Sequence, residues 1–282
     1  MDKQVFARLF ERAADSHKYR YGHVLVIGGS PGMVGAPLLA GMAALRAGAG
    51  LVTIASMPEV IDKLERRVKE IMTFALTGRE AAAAIQKFIE ERKVSVVIIG
   101  PGMEPESAPL VEKLLPDTKL PLVIDGGALG ALQHHTDRLQ EAPSQVIVLT
   151  PHTGEFQKLV DKPLPEKRTD LKPIARAFAK AHGVTVVLKG EPTYVAHPDE
   201  NLYENTTGNP GLATAGTGDV LTGVIAGLLA QGLEPHEAVE AAVYIHGLAG
   251  DIGAEAKTEP GMVASDVVEA IPQALRSISR SL

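Results

Sequence analysis

The chain has 282 residues, a length that fits one large α/β domain or two small ones. Hydrophobic residues make up 45% and charged residues 22%, which is the balance of an ordinary globular protein. The net charge of −6 argues against a protein that binds nucleic acid or a membrane surface, and the absence of cysteine excludes disulfides and cysteine-based metal sites.

The start of the chain does not have the pattern of a targeting segment. Residues 1–23 carry scattered charges and no apolar stretch of the kind found in a signal peptide. No apolar run elsewhere is long enough to cross a bilayer without polar interruption. We therefore expect a soluble cytoplasmic protein with neither a nucleic-acid nor a membrane partner.

Short apolar runs rich in β-branched residues alternate along the chain with longer helical patterns. The runs predict strands at 23–29, 51–56, 94–100, 120–126, 144–150 and 184–190, and the helical patterns lie at 36–48, 79–93 and 170–183. Residues 192–206 predict a hairpin that turns at 198–201, and three helices follow at 219–231, 235–254 and about 264–279.

The order of these elements predicts an α/β fold with a central, mostly parallel sheet and helices on both faces. Continuously apolar strands are typical of a sheet that is covered on both sides. The pattern runs from about 23 to 279 without a linker or repeat, so we expect residues 1–282 to form a single domain.

Ligands of such sheets bind beyond the carboxyl ends of the strands. Five predicted strands are followed by loops that contain glycine or proline, and we expect these loops to face one crevice. The loops are 28–35, 100–103, 125–129, 150–156 and 189–193.

The stretch "ATAGTGD" (213–219) opens a predicted helix. The first amides of a helix lack partners and carry positive partial charge, and Gly216 and Gly218 would let the backbone approach a ligand closely. The pattern favours phosphate binding, although it is not a P-loop. The alternative is a glycine turn in which Asp219 only begins the helix. If the loop holds a phosphoryl group, Asp219 is placed to activate a nucleophile.

Other candidates have a functional and an ordinary interpretation. His152 is either functional or a common surface histidine, and Glu155 either contacts a metal-bound water or caps a helix, with the cap favoured. Lys189 lies near a phosphate or is solvated. Gly223 and Gly227, four residues apart on a predicted helix, indicate close helix packing rather than chemistry.

Two further patterns argue against other functions. Gly29, Gly32 and Gly35 recur at every third residue and do not form G-x-G-x-x-G, so an ordinary nicotinamide dehydrogenase is disfavoured. His134 and His135 have no third ligand at a spacing typical of zinc, so we expect them at the surface. No residue is predicted to be a metal ligand.

A set of motifs in order resembles one known family. The motifs are "GHVLVIGGS", "IIGPGM", "VIDGGAL", "LTPHTGEF", "VVLKGEPTYV", "NPGLATAGTGDVLTGVIAGLLAQG", "AVYIHGLAGD" and "MVASDVVEAIP". Together they resemble the ADP-dependent NAD(P)H-hydrate dehydratases of the ribokinase-like superfamily, over residues 17–279. The chain is similar to the stand-alone form, without the epimerase domain that many relatives carry.

The resemblance implies a repair reaction. NADH and NADPH hydrate at the nicotinamide ring, and the family restores the S epimer at the expense of ADP, with release of AMP and phosphate. It also implies Mg²⁺ as a cofactor, ADP and the hydrated dinucleotides as small-molecule partners, and a homotetramer.

The resemblance also implies roles for individual residues. Asp219 would activate the ring hydroxyl and contact the substrate, which Ala40, Gly102 and His152 would also hold. The nucleotide would bind to Lys189, Gly190, Glu191, Pro192, Thr193 and Gly218. The anion hole would comprise the amides of Ala215, Gly216, Thr217 and Gly218.

Two other functions remain open from the sequence. A ribokinase-like kinase of a small alcohol, such as hydroxymethylpyrimidine, would share "GTGD" but should lack "TPHTGE" and the preceding "NPG". A non-catalytic nucleotide sensor would keep the pocket without the chemistry, and the carboxylate of Asp219 argues against it.

Overall fold

The computed structural model describes residues 3–78, 80–104 and 108–281. Within these residues nine strands form one sheet. The strands are β1 His23–Ile27, β2 Leu51–Ser56, β3 Met72–Ala75, β4 Val96–Ile99, β5 Leu122–Ile124, β6 Ile147–Leu149, β7 Thr185–Leu188, β8 Tyr194–Ala196 and β9 Leu202–Glu204.

Helices surround this sheet and connect its strands. They are α1 Lys3–Phe10, α2 Gly35–Arg46, α3 Pro58–Leu64, α4 Ala81–Arg92, α5 Ala108–Leu114, α6 Gly127–Ala131, α7 Arg138–Glu141, α8 Thr153–Val160, α9 Leu171–His182, α10 Thr217–Ala230, α11 Pro235–Lys257 and α12 Ala264–Ser281. The 3₁₀ turns include Arg168–Asp170, directly before α9. Residue 79, the predicted start of the helix at 79–93, lies outside the described residues.

The sheet has the order β3-β2-β1-β4-β5-β6-β7-β8-β9. In this spatial order, all neighbouring strands between β3 at one edge and β7 are parallel. Strands β8 and β9 form an antiparallel hairpin at the other edge, and β8 also pairs antiparallel with β7. The predicted mostly parallel sheet and the hairpin at 192–206 are therefore confirmed. The chain first adds β2 and β3 on one side of β1 and then adds β4 on the other side. The direction in which strands are added therefore reverses between β1 and β4, and a ligand crevice is expected at such a reversal.

The core lies in two layers, one on each face of the sheet. Successive strand residues point to opposite faces, so Val24 and Val26 of β1 join one layer while Leu25 and Ile27 join the other. The first layer is completed by α1, α2, α3, α10, α11 and α12, and the second by α4, α5, α6, α7, α8 and α9. Helices on both faces explain why the strands are continuously apolar, as predicted.

Helix α10 is buried nearly all round between α2, α11 and the sheet. Its approach to α2 depends on two glycines. A Cβ on Gly223 would lie 2.1 Å from the carbonyl oxygen of Ala40, and one on Gly227 would lie 2.7 Å from that of Ala44. The prediction that Gly223 and Gly227 serve helix packing is confirmed.

Some elements have no counterpart among the predictions. Strand β3 at the sheet edge is only partly buried and lacks the continuous apolar run of an inner strand. Helices such as α6 and α7, with five and four residues, are too short to show a helical period. In the described part of the chain, no helix is both long and apolar enough to cross a membrane.

Candidate active site at the carboxyl ends of the strands

The five loops that follow β1, β4, β5, β6 and β7 lie side by side, because these strands are consecutive in the sheet. The Gly29 amide donates to the Pro101 carbonyl over 2.8 Å, and the Lys189 amide donates to the Pro151 carbonyl over 2.9 Å. The predicted rim of five loops along one edge of the sheet is thus confirmed.

The start of α10 lies at this rim. The helix begins at Thr217, two residues before the predicted start, and its N-cap is Gly216 at φ 93°, with no side-chain cap. The amides of Ala215, Gly216 and Gly218 have no acceptor among the described residues, and the Thr217 amide makes a long bond of 3.4 Å to the Thr214 carbonyl. Free amides at a helix start attract an anion.

Helix α11 holds the loop that leads into α10. The carboxylate of Asp251 accepts hydrogen bonds from the Gly208 amide and from Asn209 Nδ2, each with a length of 3.0 Å. The buried His246 donates from Nε2 to the Thr217 carbonyl over 2.9 Å, since a carbonyl can only accept. Burial lowers the pKa of His246 to about 4, so its ring is neutral. Both residues belong to the motif "AVYIHGLAGD", whose role was not apparent from the sequence.

A buried ion pair lies beneath this helix start. Lys189 Nζ, just after β7, is 2.9 Å from Oδ1 of Asp125, just after β5. Thr222 Oγ1 on α10 donates to Asp125 Oδ2 over 3.0 Å. Burial alone would raise the pKa of Asp125, but the charge and hydrogen bond of Lys189, with further bonds from Thr150 and Thr222, hold it below its usual value. Asp125 is therefore a carboxylate and Lys189 is an ammonium, rather than a freely solvated side chain.

The environment of Asp219 is quite different. Its carboxylate, in the first turn of α10, accepts no hydrogen bond from a described residue, so it is not an N-cap. Burial and then the negative charge of Asp125 raise its pKa to about 7, against the opposing charge of Lys189. Two neighbouring carboxyl groups with divergent pKa values are typical of acid–base sites. Asp219 is half-ionised near neutral pH and able to accept a proton.

Gly218 lies directly over the ammonium. A Cβ at this position would be 3.1 Å from Lys189 Nζ, so the absence of a side chain leaves the cation beside the free amides of the helix start. The ammonium, the amides and the helix dipole all favour an anion at the same place.

His152 and Glu155 form a capping box at the start of α8. His152 Nδ1 accepts from the Gly154 and Glu155 amides over 3.0 and 3.2 Å, and the His152 amide donates to Glu155 Oε2 over 2.8 Å. The favoured interpretation of Glu155 as a cap is confirmed. The His152 side chain stays 61% exposed, and its contact with a substrate stays a prediction.

The remaining predicted site residues divide into rim and core. Gly190, Glu191, Pro192 and Thr193 form the exposed or partly exposed loop between β7 and β8. Gly102, at φ 65°, lies against the loop after β1, since a Cβ there would be 2.6 Å from the Met33 carbonyl oxygen. Ala40 is fully buried between α2 and α10. Its side chain packs in the core, and its contact with the substrate stays a prediction.

The structure also tests the fit of a magnesium ion. No group of three or more His, Asp or Glu residues in the described ranges is placed to hold a metal alone. Mg²⁺ at nucleotide sites is instead held by one or two carboxylates together with phosphate oxygens and water. Glu155 fits this arrangement, because its Oε2 lies 3.9 Å from Lys189 Nζ and its Oε1 has no partner among the described residues. His134 and His135 are exposed, as predicted.

Sequence reasoning did not single out Asp125 as a site residue. Its signal was a lone carboxylate directly after an apolar strand, in "VIDGG". Its partner Lys189 lies 64 residues further on, and only the sheet order brings the two together. Thr222 and His246 carried no local signal.

Comparison with known proteins agrees with this geometry. Residues 24–273 match the sequence model of the NAD(P)H-hydrate dehydratase family. The chain belongs to this family. It is 42% identical, over 98% of its length, to the bifunctional NAD(P)H-hydrate repair enzyme Nnr of Moorella thermoacetica. The match covers 53% of that enzyme, so the chain spans about half the length of the bifunctional relatives that it matches.

A Bacillus subtilis relative matches from end to end. It is named ADP-dependent (S)-NAD(P)H-hydrate dehydratase and is 34% identical, over 96% of this chain and 95% of its own length. A solved structure of ADP/ATP-dependent NAD(P)H-hydrate dehydratase from B. subtilis, co-crystallised with ATP/Mg²⁺, has a TM-score of 0.86 over 98% of this chain and 97% of that one, at 32% identity.

The fold class is likewise confirmed. A ribokinase-like superfamily protein from Enterococcus faecalis is 30% identical, with a TM-score of 0.82 over 99% of this chain and 95% of that one. The ribokinase-like fold predicted for this member of the dehydratase family is therefore the one that it has.

Proposed function

We propose that this chain catalyses the ADP-dependent dehydration of the S epimer of hydrated NADH and NADPH, which restores NAD(P)H and releases AMP and phosphate. The observation that carries the proposal is the placement of Asp219, a carboxyl group with a pKa of about 7, beside Lys189 and the free amides of the α10 start. The names of the relatives supply the substrate and the nucleotide.

Asp219 is the general base of the proposed reaction. Because no described residue donates a hydrogen bond to it and its pKa is raised, it can accept the proton of the ring hydroxyl as that oxygen attacks a phosphorus atom. Asp125 cannot take this role, since Lys189 and Thr222 occupy both of its oxygens.

Lys189 and the amides at 215–218 hold the β-phosphoryl group of ADP. Negative charge builds up on the oxygens of a phosphoryl group during transfer, and fixed donors in a partly buried site stabilise it. The Asp125 carboxylate holds the ammonium in place before the nucleotide arrives.

The proposed reaction has two steps, phosphoryl transfer and then loss of phosphate. The ring hydroxyl oxygen bonds to the β-phosphorus, the bond from that phosphorus to AMP breaks, and the hydroxyl proton passes to Asp219. The C–O bond of the new phosphate ester then breaks, and phosphate leaves with the electron pair. The lone pair of the ring nitrogen stabilises the cation, and loss of a neighbouring ring proton restores the double bond.

Magnesium is proposed as the cofactor. When bound, it would neutralise phosphate charge, and Glu155 is the residue whose free oxygen could hold it, directly or through water. The predicted substrate contacts of Ala40, Gly102 and His152 and the nucleotide contacts at 189–193 belong to the same proposal. A cytoplasmic location and a homotetramer are also part of it.

The decisive experiment incubates the protein with S-hydrated NADH, Mg²⁺ and ADP and follows the return of NADH absorbance. Parallel reactions contain ATP, AMP or no nucleotide, and AMP formation from ADP is measured. We expect one AMP per NADH restored. Absorbance that does not recover with ADP, or that recovers only with ATP, would contradict the proposed function.

A further inference from the structure

We propose that Arg168 is a positioning residue that fixes the loop 189–193 relative to the start of α8, so that the nucleotide side and the His152 side of the site are held together. No sequence motif indicated a role for this residue. The proposal rests on the proposed function for its kinetic consequences, whereas its structural basis is independent of it.

The Arg168 guanidinium binds both ends of the loop. Its Nη2 donates to the Leu188 carbonyl over 2.7 Å and to the Pro192 carbonyl over 2.9 Å, and its Nε donates to the Pro192 carbonyl over 3.2 Å. These carbonyls lie on either side of residues 189–191. One rigid group therefore sets the distance between the two ends of the loop. The planar guanidinium can do this because its donors point in fixed directions.

The third arm of Arg168 reaches the neighbouring loop. Its Nη1 donates to Thr153 Oγ1 over 3.1 Å, and Thr153 is the first residue of α8, directly after the N-cap His152. A parallel bridge between His152 and Lys189 already joins the two loops through the backbone. Arg168 adds a side-chain link between the same two loops.

Two packing features keep the guanidinium in this position. Gly190, at φ 150°, has no side chain, and a Cβ there would lie 2.7 Å from Arg168 Cζ. The guanidinium carbon also lies 5.0 Å from the ring centroid of the buried Tyr194, a cation–π distance. Arg168 therefore requires a glycine at 190, which connects two residues 22 positions apart in the chain.

The test compares Arg168→Ala with Arg176→Ala. Arg176 is a matched control because its Nε also donates to a backbone carbonyl, that of Glu200, but at the tip of the β8–β9 hairpin away from the site. We expect Arg168→Ala to raise the calorimetric Kd and the KM for ADP by about 10–100-fold and to change kcat at saturation by less than about threefold. Arg176→Ala should change none of these.

Arg168→Lys separates geometry from charge. A lysine keeps the positive charge and has three N–H donors, but all of them lie on one nitrogen, whereas the Arg168 contacts are made from the three separate nitrogens of a planar fork. We therefore expect only partial recovery of ADP affinity. Full recovery with lysine would show that the charge alone matters and would overturn the proposal, as would an Arg168→Ala protein with unchanged affinity.

Hydrogen exchange gives a result that does not depend on activity. In Arg168→Ala, the amides of Gly190, Glu191 and Thr193 and those at 153–155 should exchange faster, while those at 199–201 of the hairpin tip stay as in the wild type. If Arg168→Ala does not fold, Thr153→Val removes a single arm and should loosen 153–155. Unchanged exchange in these segments would overturn the proposal. A wild type that binds ADP without restoring NADH would refute only the proposed function.

Discussion

The environment of Asp219 favours the protonated form of its carboxyl group. A first-turn carboxylate of a helix usually gains from the amides around it. Here burial and the charge of Asp125 outweigh that gain and raise the pKa to about 7. The neighbouring Asp125 has its charge matched by Lys189, so the two carboxyl groups divide the roles of anchor and base.

We expect Asp219→Asn to retain ADP binding and to slow turnover by about 10²–10⁴-fold, the usual contribution of a general base. Asparagine has nearly the same shape but cannot accept the hydroxyl proton. Steady-state kinetics with S-hydrated NADH and calorimetry with ADP would measure the two effects separately. Near wild-type turnover in this variant would show that Asp219 is not the base.

The pH profile should follow the ionisation of Asp219. The protonated acid cannot accept a proton, so kcat/KM for hydrated NADH should fall as the pH drops below about 7 and level off above it. In Asp125→Asn the like charge is removed and Lys189 is freed, and both changes favour the ionised form of Asp219. The midpoint should move to lower pH by about one unit.

The control for this shift is Asp62→Asn, which removes an exposed carboxylate on α3. Its profile should match that of the wild type. If the midpoint of Asp125→Asn stayed in place or moved to higher pH, the account of the Asp219 pKa would be wrong.

Helices α2 and α10 show how packing places the site. Because α10 carries the free amides and Asp219 at its start, its distance from α2 fixes the position of both. Gly223→Ala would place a Cβ 2.1 Å from the Ala40 carbonyl oxygen, which cannot give way without moving the helix. We expect a loss of about 1–3 kcal/mol in the free energy of unfolding, measured by chemical denaturation, together with reduced turnover.

Gly130→Ala is the matched control, because a Cβ on this α6 glycine would meet nothing within 4 Å. Alanine is the better helix former, so this variant should gain about 0.5–1 kcal/mol. Equal losses in both variants would mean that the close α2–α10 approach is not what Gly223 provides.

The elements that could be predicted from sequence are those with a local signal. Inner strands such as β1 and β4 are continuous apolar runs, and α9 and α11 show a helical pattern over many residues. The Glu155 cap was also foreseeable, since its partner lies three residues away. The Asp125–Lys189 pair and the loop contacts of Arg168 span 15 to 64 residues and depend on the order of strands in the sheet. Periodicity carries no information about such contacts.

The whole molecule gathers its site along one edge of one sheet, and its two apolar layers share that sheet in the described part of the chain. Because the same strands contribute residues to both layers, unfolding of the sheet would expose both layers to solvent. We therefore expect a single cooperative unfolding transition, in keeping with one domain. The proposed ADP site draws on loops after β6 and β7 and on the start of α10, and all of these must be in place for binding.

ADP should consequently stabilise the entire fold rather than one part of it. At about 100 times its Kd, ADP adds ~2.7 kcal/mol to the free energy of unfolding, which corresponds to a rise in Tm of about 4–8 °C for a chain of this size. Adenosine should give little shift, because it lacks the phosphates that the free amides and Lys189 attract. Differential scanning calorimetry would measure both. Two separate transitions, or equal shifts with ADP and adenosine, would contradict a phosphate site that is built by the whole sheet.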